Sequence, residues 1–186
     1  MTVKSEARSL TLRQQKGRAV NAVAELLRKK LSVPNIYLEP RFPSLAVDVL
    51  AVDRAGSGDL HAVEIRIEIE FVRPPAPRAN APGVGRILQR EMKEIHARIM
   101  SLPAHYRYLA IPQGIRGVLV EELGDLLYSP DGIGRIGIIT VTDRGKEPPV
   151  AELSIAPERF RVDPAKLRSI ETKLLAKVRP DIEVRI

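Results

Sequence analysis

Three side chains raise the possibility of chemistry. In HAVEIRIEIE, residues 61–70, charged and apolar residues alternate. On an extended strand this puts Glu64, Arg66, Glu68 and Glu70 on one face and Val63, Ile65, Ile67 and Ile69 on the other. One segment earlier, AVDVLAVD carries Asp48. If the two segments pair in a suitable register, Asp48 and Glu64 share a face. Two carboxylates converging across a hairpin suit a hard divalent cation, because Mg²⁺ takes oxygen ligands, keeps several waters and often needs only one or two protein carboxylates. A cationic side chain such as Arg66 helps hold a water there or neutralise a phosphate. The same alternation also describes a plain solvated strand face with cross-strand ion pairs.

The flanking pattern predicts the elements that would position these groups. Residues 11–31 read as a helix. Thr11 with Gln14 forms a capping box, and Val20, Val23, Leu27 and Leu31 recur at helical spacing. A short strand is expected at Ile36–Leu38, then a strand over Ala46–Val52, a turn-rich loop from Asp53 to Asp59, and a strand over Leu60–Phe71. The last two form an antiparallel hairpin. The segment VRPPAPRANAPGVG, residues 72–85, is too rich in Pro and Gly for regular structure. It reads as a linker, or as a flap presenting Arg73 and Arg78 to phosphate.

A second helix is expected over residues 84–101, with Val84, Leu88, Met92, Ile95 and Ile99 inward and Arg86, Arg90, Lys93 and Arg98 elsewhere. A strand over Tyr106–Ile111, a helix near Gly117–Leu127, and strands over 133–143 and 150–156 follow. Asp163-Pro164 starts a last helix reaching about Val178, and IEVRI closes the chain as an edge strand. GKEPP at 145–149 reads as a hairpin turn. The order predicts a mixed α/β protein, one sheet covered by helices, with residues 1–186 as a single domain.

Composition narrows the classes. The chain has 186 residues, 44% hydrophobic and 4% aromatic, with no Trp and no Cys. Its core is therefore built from Val, Ile, Leu and Ala. Without Cys there are no disulfides and no thiolate chemistry, and together with the lack of an apolar leader or membrane-spanning run this fits a cytoplasmic protein. The net charge is +7. Residues 1–30 hold eight Lys or Arg against Glu6 and Glu25. Such a surplus suits a polyanionic partner, although it also suits a solvated helix face.

Asp48, a hairpin, then Glu64-Ile65-Arg66, with a helix before and a loop and helix after, resembles the PD-(D/E)xK nuclease superfamily over roughly residues 15–112. The resemblance implies a restriction endonuclease-like α/β fold: an αβββαβ core (about 11–112) with a central mixed sheet flanked by helices, and C-terminal strands and a helix (about 113–186) packed on the same sheet. It implies that Asp48 and Glu64 bind Mg²⁺ (or Mn²⁺) and that Arg66 stands where the family has Lys. Arg is always protonated and cannot accept a proton, but it can stabilise phosphate charge. Val47 holds the place of the motif Pro. On the first helix, Asn21 stands where the family often has Glu, with Glu25 one turn later, and both are assigned to the outer shell. DNA is the implied partner, contacted by Arg13, Lys16, Arg18, Arg73, Arg78, Arg86 and Arg90.

Three readings follow. The protein is a Mg²⁺-dependent endonuclease working as a two-fold dimer, or an inactive nuclease-derived DNA-binding or scaffold module, or an α/β protein- or RNA-interaction domain whose charge keeps it soluble. His61 should face away from Glu64, and His61, His96 and His105 read as structural or surface residues. Tyr106 and Tyr108 share a strand face and read as core or rim packing rather than base-stacking groups. GVGRIL and GIGRIG lack the strand context of a phosphate-binding glycine loop.

Overall fold

Thr11 begins the first helix as expected. Its hydroxyl oxygen accepts from Gln14 N–H at 3.3 Å, and Gln14 Oε1 accepts from Thr11 N–H at 2.9 Å. Helix α1 (Leu12–Lys30) runs through Gly17 and buries Ala19, Val20, Val23, Leu26 and Leu27. Arg28, Lys29 and Lys30 complement the negative end of its dipole. Ser32 then turns the chain at φ 56°, in the left-handed region that commonly ends helices. The computed structural model describes residues 10–38, 47–53, 58–67, 84–117, 119 and 134–177. In its second helix side chains are described from Lys93 onward, and in its last helix up to Ile170 and at Thr172.

After α1 come strands β1 (Asn35–Leu38), β2 (Val49–Val52) and β3 (Leu60–Ile65), helix α2 (Val84–Ser101), strand β4 (Tyr106–Pro112), a 3₁₀ turn at Gln113–Ile115, strands β5 (Gly137–Thr142) and β6 (Val150–Ile155), and helix α3 (Pro164–Lys177). The six strands form one mixed sheet in chain order. β1, β2 and β3 are an antiparallel meander. β4 lies parallel to both β3 and β5, and β6 turns back antiparallel on β5. Parallel neighbours need a long crossover, and α2 lies in the one between β3 and β4.

The two faces of the sheet follow from strand alternation. Val49 and Ala51 of β2, Val63 and Ile65 of β3, Ala110 of β4 and Ile139 of β5 pack on α1. The other face splits in two. Leu109, Ile111 and Ile138 pack with Ile95 and Ile99 of α2 and with Phe160. Leu50, Val52, Leu60 and Ala62 pack with Leu102, Ala104 and Ile170. Each fully buried Val, Leu or Ile contributes roughly 1.5–3 kcal/mol, so these faces hold the sheet between its helices. Gly137 is required by packing, since a Cβ there would lie 2.8 Å from the Tyr108 ring.

Several boundaries differ from expectation. The strand expected over Leu60–Phe71 ends at Ile65, although Arg66 N–H still donates to Ala110 O at 2.8 Å. β2 begins at Val49, with Asp48 in a bend before it. The strand expected at 133–143 is confined to Gly137–Thr142. β5 and β6 do join the same sheet through the turn at GKEPP. Asp163 caps α3 by accepting from Ala165 N–H at 2.8 Å. The expected helix near Gly117–Leu127 and the closing strand IEVRI fall largely or wholly outside the described residues.

Candidate functional site

The β2–β3 register runs from Val52 opposite Leu60 to Val49 opposite Val63, and Asp48 lies one residue beyond its end. Asp48 N–H donates to Val63 O at 3.1 Å, and Asp48 Oδ2 accepts from Ile65 N–H at 2.6 Å. The Asp48 carboxylate therefore sits at the Glu64–Ile65 peptide of the neighbouring strand.

Each carboxylate is taken up by cations. Lys16, on α1, places Nζ 2.7 Å from Asp48 Oδ1. Arg66 Nε donates to Glu64 Oε1 at 2.7 Å, and Arg98 Nε, on α2, donates to Oε2 at 2.8 Å. Arg98 Nη2 also meets Oε1, so its guanidinium grips the carboxylate as a fork. Glu64 is 1% exposed. Its charge is tolerable there because both oxygens are hydrogen-bonded to cations.

Mg²⁺ does not fit this donor set as arranged. It demands near-octahedral oxygen ligands at about 2.0–2.1 Å, whereas all four carboxylate oxygens already accept hydrogen bonds or face an ammonium. Lys16 meets Asp48, and Arg66 and Arg98 meet Glu64, so each carboxylate already has a cationic partner. A dication would have to displace those partners. Among the described residues no group of three or more His, Asp or Glu side chains is disposed to hold a metal.

The remaining expected residues lie elsewhere. Asn21 and Glu25 do not join Asp48 and Glu64. Both are exposed, Glu25 pairs with Lys29, and together they line a separate cleft of about 530 Å³ with Arg28, Ile36 and Leu38. The helical period explains this, because the stripe of α1 facing the sheet is Val20, Val23 and Leu27. Arg13 is exposed on the first turn of α1. Arg18 is engaged by Asp143, through Nε at 3.0 Å and Nη2 at 2.9 Å, and by the Glu147 carbonyl. Burial alone would raise the Asp143 carboxyl, but hydrogen bonds from Arg18 and Gly145 N–H hold it below its usual range. Arg86 and Arg90 lie on α2 where side chains are not described, and Arg73, Arg78, Glu68 and Glu70 lie outside the described residues.

Two partners escaped the sequence reading. Lys16, assigned to DNA by the resemblance, pairs with Asp48 in the structure. Arg98 was only a surface charge of the second helix, and it grips Glu64. The available signal was spacing: Lys16 stands one turn before Val20 on the inner stripe of α1, and Arg98 adjoins Ile95 and Ile99.

The opposite end of the sheet holds a second polar group. His61 does face away from Glu64, stacked on Tyr106 and Tyr108 with ring centroids 4.7 and 5.9 Å apart. Its Nδ1 lies 3.0 Å from the Tyr108 hydroxyl. Burial pushes the imidazole down to about 4, against the raising charges of Asp59 and Asp53. Burial also pushes the Tyr108 phenol above its usual range, with Tyr106 adding to the effect. His105 Nδ1 accepts from Leu60 N–H at 3.0 Å, which is a structural use.

A cleft of about 890 Å³ opens at the carboxyl ends of β3, β4 and β5. It is lined by Gln15 and Ala19 of α1, Ile67, Gln113, Thr142 and Lys146, among others. The residues that line it do not include Lys16, Asp48, Glu64, Arg66 or Arg98. No helix among the described residues is long and apolar enough to cross a membrane.

No protein-family model matches the sequence, and no curated protein matches it. Among solved structures, the SPO1766 protein of unknown function from Silicibacter pomeroyi is similar at a TM-score of 0.50 and 16% identity, over 89% of this chain and 86% of that one. At that identity the likeness is one of fold: this chain is a mixed α/β protein whose six-stranded sheet is flanked by helices.

Proposed function

We propose that the protein is a nuclease-like DNA-binding module with a restriction endonuclease-like core, in which the acid pair organises cations rather than a catalytic metal. One observation carries this reading: the carboxylate oxygens of Asp48 and Glu64 are occupied by Lys16, Arg66, Arg98 and a backbone amide. The helix–meander–helix–strand order supports the core assignment. The charge of +7 supports a polyanionic partner. Among the described residues the side chains paired with these two acids are basic, which speaks against the reading as a protein-interaction domain with an acidic surface.

The placement of Asp48 and Glu64 on one hairpin favours a second reading, a Mg²⁺- or Mn²⁺-dependent endonuclease in which metal would replace the cations at the two carboxylates. A two-fold dimer would then cut both strands. Supercoiled and branched DNA incubated with either metal, for wild type, Asp48→Ala and Glu64→Ala, separates the two. Binding without cleavage supports the module. Cleavage lost in both variants establishes the enzyme. No DNA binding even at low salt rejects both.

A further inference from the structure

We propose that the groove beside the edge strand β1 is a docking site for an extended acidic segment of a partner protein, which adds to the sheet as a further strand. The site is separate from the nucleic-acid reading and uses none of the cations around Asp48 and Glu64. Its first support is the edge itself. β1 ends the sheet, and among the described residues no strand pairs with its outer side. In an antiparallel pair alternate residues direct N–H and C=O toward the partner strand, so the others in β1 direct theirs away from β2. Such an edge is a template for another strand, and strand addition is a recurring mode of peptide recognition. The other edge is less open to it, because β6 is entered through Pro148 and Pro149, which donate no ladder hydrogen bond.

The second support is the groove alongside. The cleft of about 530 Å³ is lined by Ile36 and Leu38 of β1, by Ala22 and Ala24 of α1, and by Pro148 and Pro149. This apolar lining would receive one row of side chains of an added strand, since successive side chains alternate between the two faces. One wall is already fixed. Arg18 of α1 bonds Asp143 and the Glu147 carbonyl, which holds the β5–β6 turn against the helix. Part of the ordering cost of binding is therefore met in the folded protein.

The third support is charge, and it selects the partner. The cations that line the cleft are Arg18, Arg28, Lys29 and Lys146, and the one acid is Glu25. Arg18 pairs with Asp143 and Lys29 with Glu25. Arg28 and Lys146 are exposed and form no ion pair among the described residues. These two cations beside an apolar lining complement a strand in which Asp or Glu alternates with Val or Ile. A second copy paired through β1 would bring two equally basic grooves together. The apolar lining offers a phosphate backbone no donor, which favours a peptide over a nucleic acid here.

The test is fluorescence anisotropy with a labelled peptide in which Glu and Val alternate over about six residues, a common strand length. A Lys–Val peptide of the same length is the control. Both are titrated with wild type, Arg28→Glu, Lys146→Glu and Lys166→Glu. Lys166 is exposed on α3, which packs on the face of the sheet opposite α1, so it carries the same charge change away from the groove. The expected result is equal binding of the Glu–Val peptide to wild type and Lys166→Glu, with binding about tenfold weaker in Arg28→Glu and in Lys146→Glu. The Lys–Val peptide does not bind. Amide hydrogen exchange within Asn35–Leu38 slows in the complex, which contact with side-chain charges alone would not produce.

No binding of the Glu–Val peptide by wild type, equal weakening in Lys166→Glu, or binding without added protection in β1 overturns the proposal. So does self-association of the chain that Arg28→Glu alters, because that assigns the groove to a second copy. Duplex DNA binding lost in Arg28→Glu, with no peptide bound, assigns the groove to nucleic acid. That last result removes the peptide site and leaves the nucleic-acid reading standing.

Discussion

The two ends of β3 carry two buried carboxylates with different company. Asp59, just before the strand, is 4% exposed, and Glu64, near its end, is 1% exposed. Both are gripped by arginine. Asp59 accepts from Arg159 Nε and Nη2, the latter at 2.8 Å, and lies 3.5 Å from His105 Nδ1. Arg159 belongs to the connection between β6 and α3, so this pair ties that connection down on the β2–β3 hairpin. At Glu64 the partners are two arginines, and Lys16 with Asp48 adds another ammonium nearby. One end matches an acid with a base to fasten the chain. The other surrounds one buried acid with two arginines, one from its own strand end and one from α2. The number and origin of the partners, rather than burial, distinguish the two ends.

The largest expected effect breaks the arginine pair around Glu64. Arg66→Ala with Arg98→Ala leaves a buried carboxylate without either guanidinium, which costs about 3–5 kcal/mol. Urea unfolding at pH 7 reads it, and Glu64→Gln added to that background should recover a large part, since a neutral amide needs no counter-charge. A loss under about 1 kcal/mol would mean that water reaches Glu64 freely.

Acid titration probes the other end. The His61 imidazole falls from 6.5 to about 4 on folding, chiefly through burial. Between those values the unfolded chain binds a proton that the folded chain refuses. Stability therefore falls as pH drops through this window, by on the order of 3 kcal/mol. Asp59 and Asp53 oppose that loss and His105 adds to it. The pH dependence of the melting temperature measures the effect, and a slope unchanged in His61→Asn would refute the assignment.

Arg159→Ala comes next. It removes the fork from Asp59 but leaves the neighbouring His105, and a charged hydrogen-bonded pair of this kind contributes roughly 1.5–3 kcal/mol. The contrast between the ends sharpens here, because this variant should weaken folding and leave duplex binding intact. Asp143→Asn has the smallest effect. It loosens the tether between Arg18 of α1 and the β5–β6 turn, and a partly exposed ion pair is worth about 0.2–1 kcal/mol. Urea midpoints of the two variants should keep this order.

The helices and most strands were legible because their signals are local. The Thr11–Gln14 box, the 3.6-residue stripe of α1, the Asp163–Pro164 start and the alternation in β3 each depend on a few adjacent residues. Strand ends were less legible. Glu68 and Glu70 extend the alternation by pattern alone, whereas β3 stops at Ile65, soon after its pairing with β2 gives out at Val49. The outer-shell assignment of Asn21 and Glu25 did not hold, because helical phase turns both away from the sheet.

The sequence by itself determined the α/β class, the hairpin that carries Asp48 and Glu64, and the opposite facing of His61. Those follow from chain direction and side-chain alternation, which are properties of short segments. Only the tertiary structure decided the state of the acid pair. Lys16 is 32 residues from Asp48 in the chain, and Arg98 is 34 residues from Glu64. No local pattern links them. The packing of α1 on one face of the sheet and α2 on the other brings those cations to one strand end, where burial makes each carboxylate take the nearest positive charge.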